Sequence, residues 1–489
     1  MPFEPVIGLE IHAQLLTVSK IFCGCSAAFG AAPNVHVCPV CLGLPGALPV
    51  LNRAAVDDAI RAALALGCTI QRTSIFARKN YFYPDLPKGY QISQYERPLA
   101  TDGVITANSD YWGPAYDVRV RRVHLEEDAG KLIHEGFADS DRRSYVDLNR
   151  AGVPLIEIVT EPDIRSAKDA AAVFSYLREL LVTIGVNDGN MEEGSLRCDA
   201  NVSIRPLGTD ALGTKAEVKN LNSFRFVEKA LEHEIARQHE VLDAGGRIAQ
   251  ETRLWDAGAG RTFSMRSKEE AHDYRYFPEP DLPPLVVTTE RVNAVRSTMP
   301  ELPAVRRQRL VAAYSLSMKD AVTLTQAVPG LDDYFEQAVG AGADLKLAKN
   351  WLLGHVLWKM NEQGMGIADE LRARLPPHGL AGLVALIKEG TISDAIAKDV
   401  FEKMFTTGRT AADIVGSEGL IQIDDESAIL TLIDTVLSKH PDAVSQYRGG
   451  KTATFGFLVG QVMKAAAGKA NPRKVNDALK QALEAGRAG

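Results

Sequence analysis

The stretch Val6-Ile7-Gly8-Leu9-Glu10-Ile11-His12-Ala13-Gln14-Leu15 alternates apolar with polar side chains from Leu9 onward. Successive side chains of a β-strand point to opposite faces of the sheet. The pattern therefore predicts a strand with one apolar face and one face that carries Glu10, His12 and Gln14. A strand with one packed and one polar face is typical of an antiparallel sheet.

Four further segments predict strands of the same kind: Val118–Glu127, Leu155–Glu161, Ser195–Ile204 and Lys215–Lys219. Arg197, Asp199 and Asn201 share a polar face, and Glu157 lies between two isoleucines. Carboxylates and a histidine that converge on such a face suit a hard divalent cation, and neighbouring Arg and Lys suit the phosphates that the cation bridges. The alternative is a solvated face, which antiparallel sheets often carry.

Helices are expected near Arg53–Leu66, Ser166–Ile184 and Ser223–Leu242, and later around Val305–Tyr314, Leu345–Glu362, Ile392–Phe405 and Ala428–Ser438. A final helix is signalled by Asn471 as N-cap and Pro472 at the first helical position. Six prolines between Pro278 and Pro303 mark a domain boundary. We predict an α+β fold with a sheet-containing domain over residues 1–290, a helical domain over 291–410 and a tail domain over 411–489.

The chain has 489 residues, of which 46% are hydrophobic and 24% charged, and its net charge is −7. This charge excludes a polycation that coats nucleic acid, so any RNA must bind to a local basic surface. The N-terminal residues have no basic segment followed by a long apolar one, which predicts neither a signal peptide nor a membrane span. We expect a cytoplasmic protein with no membrane and no DNA partner.

Four of the six cysteines form two pairs, Cys23/Cys25 and Cys38/Cys41, with twelve residues between the pairs. Two closely spaced pairs in loops rich in Gly and Pro favour a tetrahedral structural zinc site. His36 is near enough in sequence to replace one ligand. The alternative is four free thiols or a redox pair.

No phosphate-binding loop of the usual kind is present in the sequence. Gly449-Gly450-Lys451-Thr452 resembles the end of one, but Ser445 stands where the upstream glycine is required. If the protein binds ATP, we expect the nucleotide to bind to a sheet.

The segments Gly8–Leu15, Cys38–Gly43 and Arg78–Tyr90 resemble the B-subunit family of aspartyl/glutamyl-tRNA amidotransferases. The similarity continues in His124–Lys131, Val146–Asp163, Glu193–Ser203, Lys219–Phe226, Asp273–Pro284, Gly456–Met463 and Gly468–Pro472. It is dense across residues 6–284. The resemblance implies an N-terminal cradle domain related in fold to glutamine synthetase and guanido kinases, followed by helical and tail domains.

The resemblance also implies ATP-dependent amidation of Glu-tRNA(Gln), Asp-tRNA(Asn) or both, through an acyl phosphate. Transfer of a phosphoryl group needs Mg²⁺ and cationic side chains. The strand faces and the matching family positions together assign His12, Glu127 and Glu157 to magnesium, with Glu10 beside them. We assign the binding of phosphate or of the substrate carboxylate to Arg197, Lys79 and Lys88. We assign the binding of the nucleotide to Arg197, Asp199, Asn201 and Lys219.

The implied partners are mischarged tRNA and the two other members of a heterotrimer, an amidase that supplies ammonia from glutamine (the A-subunit) and a small third protein (the C-subunit). No amidase signature with a catalytic Ser–Lys pair is found in this chain, so ammonia must come from elsewhere. Two other functions stay open: a tRNA-binding scaffold without catalysis, and a free-standing ligase of the glutamine synthetase type. The sequence does not distinguish the Glu-tRNA from the Asp-tRNA substrate.

The last segment, residues 451–489, carries seven basic and two acidic residues, a net charge of +5. The basic residues are Lys451, Lys464, Lys469, Arg473, Lys474, Lys480 and Arg487. We predict that Lys464, Lys469, Arg473 and Lys474 bind the phosphates of tRNA. Gly456 and Gly460, which precede Lys464 on one helix face, would permit close approach. The alternative is a solvated basic helix.

Overall fold

The computed structural model describes residues 2–106, 116–136, 139–267, 274–420, 425–466 and 469–485. Asp273, Gly468 and Arg487, which belong to segments or sets named above, lie outside these ranges. The strands are β1 (Phe3–Gln14), β2 (Thr69–Ile70), β3 (Thr73–Ser74), β4 (Ala77–Asn80), β5 (Tyr90–Ser93), β6 (Ala100–Thr106), β7 (Asp117–Glu127), β8 (Lys131–Ile133), β9 (Tyr145–Asp147), β10 (Pro154–Thr160), β11 (Leu196–Pro206), β12 (Ala216–Lys219), β13 (Glu251–Asp256), β14 (Arg261–Ser267), β15 (Phe277–Pro278) and β16 (Leu285–Val286).

The chain divides into two compact units, Met1–Arg306 and Arg307–Gly489. The helices up to the boundary are α1 (Arg53–Ala65), α2 (Ala167–Thr183), α3 (Phe224–Asp243), α4 (Thr289–Arg296) and α5 (Pro303–Tyr314). Those beyond it are α6 (Met318–Gln326), α7 (Leu331–Gly340), α8 (Leu345–Trp351), α9 (Leu357–Glu362), α10 (Ala368–Arg374), α11 (Pro377–Lys388), α12 (Asp394–Thr407), α13 (Ala411–Glu418), α14 (Glu426–Lys439), α15 (Pro441–Arg448), α16 (Thr454–Ala465) and α17 (Pro472–Ala485).

In the described part of the first unit, nine strands form one sheet in the order β14-β13-β12-β11-β1-β10-β7-β6-β2. Every neighbouring pair is antiparallel except β12 and β13. One face is apolar and packs against α1, α2 and α3, as Ile11, Leu125 and Ile158 illustrate by being fully buried. This packing leaves the opposite, polar face for chemistry. The predicted α+β class is confirmed.

Local capping explains why the helices begin where the sequence indicates. The side chains of Asn52, Ser166 and Ser223 accept hydrogen bonds from the first turns of α1, α2 and α3. Asn471 caps the last helix in the same way, with its side-chain oxygen 3.0 Å from the amide nitrogen of Arg473. The segment predicted as one helix over Leu345–Glu362 is interrupted by a π-helical turn at Leu352–Val356.

The second unit contains two hydrophobic clusters. One consists of buried residues in the range from Leu310 to Val415, and the other of buried residues in the range from Ile429 to Leu483. Helix α13, which was predicted to begin the tail domain, contributes Ala411, Ile414 and Val415 to the first of them. The tail core therefore begins at α14 and not at residue 411, because the apolar side of α13 packs on the preceding helices.

Among the helices of the described residues, none is long and apolar enough to cross a membrane.

Candidate active site and metal centre

Strand pairing brings four side chains from distant parts of the chain into one row across the polar face. His12 pairs with Arg197 on one side and with Glu157 on the other. Glu157 in turn pairs with His124. Since directly paired residues in a sheet point to the same face, this row forms the centre of the site.

An acidic pair lies beside His12: Glu157 belongs to this row, and Glu126 lies two residues after His124 on β7. Nε2 of His12 is 3.8 Å from Oε2 of Glu157 and 4.0 Å from Oε1 of Glu126. One ligand atom from each of the three residues lies within 4.8 Å of the others. Both glutamates are buried. Two carboxylates so close and so far from water require a positive charge between them.

His124 supplies part of that charge. Its Nε2 lies 3.0 Å from Glu157 and 3.6 Å from Glu126. Burial alone would lower the pKa of His124, but the two glutamates more than offset this and raise it to about 9. Burial would raise the pKa of Glu157, but His124, His12 and Lys79 outweigh it and hold that pKa well below its usual range. The acidic pair is thus balanced by a buried imidazolium.

Lys79 on β4 contributes a second cation. Its Nζ lies 4.8 Å from the ring centre of Tyr274 and 5.8 Å from that of Tyr81. Burial disfavours its charge, yet Tyr276, Glu126 and Glu157 raise its pKa above the usual value. Lys79 therefore stays charged next to the acidic pair.

Arg197 forms an ion pair with Asp128, with 3.0 Å between its Nη2 and Oδ2. Gln14 donates to the same carboxylate at 2.7 Å. Further along the face, Nζ of Lys219 lies 2.6 Å from Asp199. These contacts fix the side chains of Arg197, Asp199 and Lys219 on the predicted polar face.

Glu10 lies on the same face, where its carboxylate accepts a hydrogen bond from Asn201 at 2.8 Å. Both residues belong to the set predicted from the strand pattern. Glu10 lies two residue pairs, and Asn201 four residue pairs, along the sheet from the pair of His12 and Arg197.

Glu127 does not join the acidic pair. It lies on the same side of β7 as Val123 and Leu125, where it pairs with Lys88 and accepts a hydrogen bond from the amide of Ile92 at 2.9 Å. Glu126, one residue earlier, takes the place beside His12 and Glu157 that was predicted for Glu127. The reason is the two-residue period of a strand, since a shift of one residue moves a side chain to the other face.

Lys88 is likewise separate from the acidic pair. With Glu127, Cys23 and Cys41 it lines a cavity of about 250 Å³. Its Nζ also lies 5.5 Å from the ring centre of Tyr90. The two lysines assigned to phosphate or substrate carboxylate thus occupy different surroundings.

His12, Glu126 and Glu157 fit a magnesium ion. Carboxylate oxygens are its preferred protein ligands, and two ligands of one Mg²⁺ are about 3 to 4 Å apart. The separations of 3.8 and 4.0 Å from His12 agree with this range. Two buried carboxylates beside a histidine are groups that could hold such an ion.

The four predicted zinc ligands also converge. One sulfur atom from each of Cys23, Cys25, Cys38 and Cys41 lies within 4.8 Å of the others, and 3.9 Å separates those of Cys38 and Cys41. Two sulfurs of a tetrahedral zinc site are about 3.8 Å apart, given Zn–S bonds of about 2.3 Å. A hydrogen bond from Cys23 lowers the pKa of Cys41 to about 4. The side chain of His36 is not part of the four-sulfur group.

The predicted tRNA-binding residues lie in the second unit. Gly456, Gly460 and Lys464 share the exposed side of α16. Arg473 is exposed in the first turn of α17 with Lys474. Lys469 differs from the others, because its Nζ donates to the carbonyl of Gly419 at 2.7 Å. The ammonium group of Lys469 therefore binds the C-terminal end of α13.

Three residues of the polar face were not predicted from the sequence: Glu126, His124 and Asp128. Glu126 could have been found from the alternation alone, because Val123, Leu125 and Glu127 are apolar-side positions. His124 is in the same phase as Glu126 on that strand. Asp128 lies beyond the end of β7, so no alternation rule applies to it.

Two family models match the chain. Residues 5–293 match the GatB/GatE catalytic domain, and residues 333–483 match the GatB domain. The acidic pair and the four cysteines all lie within the first match, and the predicted tRNA-binding residues within the second.

Curated relatives match over nearly their whole length. A protein of Myxococcus xanthus is 52% identical over 98% of both chains. Proteins of Thermodesulfovibrio yellowstonii and Geobacter sulfurreducens are 53% and 52% identical over 99% of this chain and 100% of theirs. All three are named as the B-subunit of aspartyl/glutamyl-tRNA(Asn/Gln) amidotransferase. Because both family models match and these relatives are about half identical over nearly the whole chain, the chain belongs to the B-subunit family of the aspartyl/glutamyl-tRNA(Asn/Gln) amidotransferases.

Proposed function

We propose that this protein uses ATP to activate the side-chain carboxylate of Glu or Asp carried on tRNA, and then replaces the phosphate by ammonia. The observation that carries the proposal is the buried pair Glu126 and Glu157 beside His12, with Lys79 next to it. A solvated sheet face has no need to bury two carboxylates together. A phosphoryl-transfer site does, since it must hold a cation against phosphate oxygens.

His12, Glu126 and Glu157 would hold magnesium, which when bound neutralises charge on the phosphates. Lys79 stays protonated and lies where it can stabilise charge on the transferred phosphoryl group. Arg197, held by Asp128, presents a guanidinium to a phosphate or to the substrate carboxylate. Asp199, Asn201 and Lys219 extend the same face toward the rest of the nucleotide.

The attacking group must be neutral ammonia, because ammonium has no lone pair with which to attack. We infer that it comes from a partner amidase, the A-subunit, with a small C-subunit completing a heterotrimer. The relatives are named as one component of an amidotransferase, which supports a complex of several chains. The nine-stranded sheet with helices on one face also supports the cradle fold related to glutamine synthetase that we propose for the first unit.

Two structural roles complete the proposal. The four cysteines would hold a zinc ion that stabilises the loop over residues 23–41, and the exposed basic side of α16 and α17 would bind the tRNA body. The pure scaffold function is disfavoured, because an RNA backbone does not require the buried acids Glu126 and Glu157.

The test is amidation by the complete assembly with its amidase partner, using Glu-tRNA(Gln) and Asp-tRNA(Asn) in separate reactions. We expect amidated tRNA to form only with ATP, Mg²⁺ and glutamine or ammonia together, and ATP hydrolysis to rise when mischarged tRNA is added. Amidation without ATP, or activity on free glutamate without tRNA, would contradict the proposal. The two substrates, compared side by side, reveal the preference that one sequence does not.

A further inference from the structure

Arg122 differs from the other two arginines of β7, each of which forms an ion pair with a carboxylate. Arg119 donates to Asp163 at 2.9 and 2.7 Å, and Arg121 donates to Glu161 at 2.9 and 2.7 Å. Among the described residues, no carboxylate lies within ion-pair distance of Arg122, and its buried Nε has no hydrogen-bond partner.

A β-bulge explains how Arg122 comes to face the site. Val159 on β10 pairs with Arg122, and the next residue, Thr160, pairs with Val120. Arg121 is therefore an extra residue on β7. Val120 before the bulge and Val123 after it are both buried on the core side, so the alternation restarts at the bulge. Bulges beside functional sites often redirect a side chain in this way.

The restart places Arg122 on the same face as His124 and Glu126. It lies two residues before His124, or about 7 Å along the strand. The pKa of Tyr276 shows which charges lie near this phenol. Burial raises this pKa to about 12, while the nearby cations Lys79 and Arg122 lower it in part. Arg122 thus adds a further cation, besides His124 and Lys79, to the face that carries the acidic pair.

An unpaired guanidinium that is partly buried is costly unless an anion meets it. A guanidinium presents a planar set of donors that matches two oxygens of a phosphate. We propose that Arg122 binds a phosphate group of the substrate on the polar face. The proposal rests on the ATP-dependent function above. The phosphate belongs either to ATP or to the 3′-terminal nucleotide of the tRNA.

The experiment compares Arg122→Gln and Arg122→Lys with Arg119→Gln, a control on the same strand whose arginine is exposed and paired. In the complete assembly we would measure binding of a non-hydrolysable ATP analogue with Mg²⁺ in the absence of tRNA, and binding of mischarged tRNA in the absence of nucleotide. Loss of the charge in Arg122→Gln should weaken one of these two binding affinities by roughly 10- to 100-fold. Arg122→Lys should recover part of the lost affinity, because the charge remains while the two-point geometry is lost.

The two bindings identify the source of the phosphate. A loss confined to the ATP analogue, with a raised KM for ATP, assigns it to the nucleotide, and a loss confined to tRNA assigns it to the tRNA end. If both Arg122 variants bind and amidate like Arg119→Gln, the proposal is wrong, whatever their melting temperatures. Failure of the unmodified assembly to amidate tRNA would instead contradict the proposed function.

Discussion

At the scale of single residues, Glu126 and Glu157 should be the groups that the reaction depends on most. Glu126→Gln and Glu157→Gln each keep the shape of the side chain but remove one charge from the proposed magnesium site. We expect amidation to fall by more than roughly 100-fold while tRNA affinity stays the same, because the lost interaction acts on the phosphoryl group. The rate of ATP hydrolysis at increasing Mg²⁺ concentration is the measurement.

Glu127→Gln is the matched control, one residue along the same strand. It removes a charge from the buried pair with Lys88, so we expect a loss of stability of roughly 3 to 5 kcal/mol. The Mg²⁺ dependence of ATP hydrolysis should remain that of the unchanged protein. If Glu127→Gln shifts that dependence and Glu126→Gln does not, the metal lies on the other face of β7.

At the scale of elements, the cysteine loop over residues 23–41 should depend on metal for its order. Cys38→Ser with Cys41→Ser should remove bound zinc and make this loop sensitive to protease, because four ligands close a segment that has little apolar content. Metal analysis under reducing conditions and limited proteolysis test this. Cys68→Ala, a buried cysteine outside the cluster, should keep the zinc. Absence of zinc in the unchanged protein would refute the site.

At the scale of the whole molecule, a truncated chain should either keep or lose the hydrophobic cluster from Ile429 to Leu483 as a whole. Truncation after Gly450 would leave α14 without the partners of its buried Ile433 and Val436, whereas truncation after Leu420 removes the whole cluster. We expect the chain truncated after Leu420 to bind tRNA more weakly and with less dependence on salt, because phosphate contacts are lost. Glutamine hydrolysis by the amidase partner should continue.

Charge reversal provides a finer test of the same surface. Lys464→Glu and Arg473→Glu should each weaken tRNA binding and reduce its salt dependence, while Lys439→Glu, exposed on α14 of the same cluster, should have little effect. Titration at several salt concentrations is the measurement. Equal affinity and equal salt dependence in the reversed variants would place the tRNA on another surface.

The sequence alone indicated five strands of the large sheet, many of the helices, and the polar side chains of β1 and β11. These depend on neighbours within a few residues: alternation sets the faces of β1 and β11, and the side chains of Asn52 and Asn471 start their helices. The cysteine cluster was also predictable, since its members lie close together along the chain.

Only the tertiary structure decided which members of that face meet. The row of Arg197, His12, Glu157 and His124 requires four strands to pair in one register, which no local pattern encodes. The turn of Arg122 toward the site follows from the bulge in β7, which shifts the alternation of that strand by one residue. Strand order and register are set by packing of the whole core, so residues distant in sequence become neighbours only when the sheet is complete.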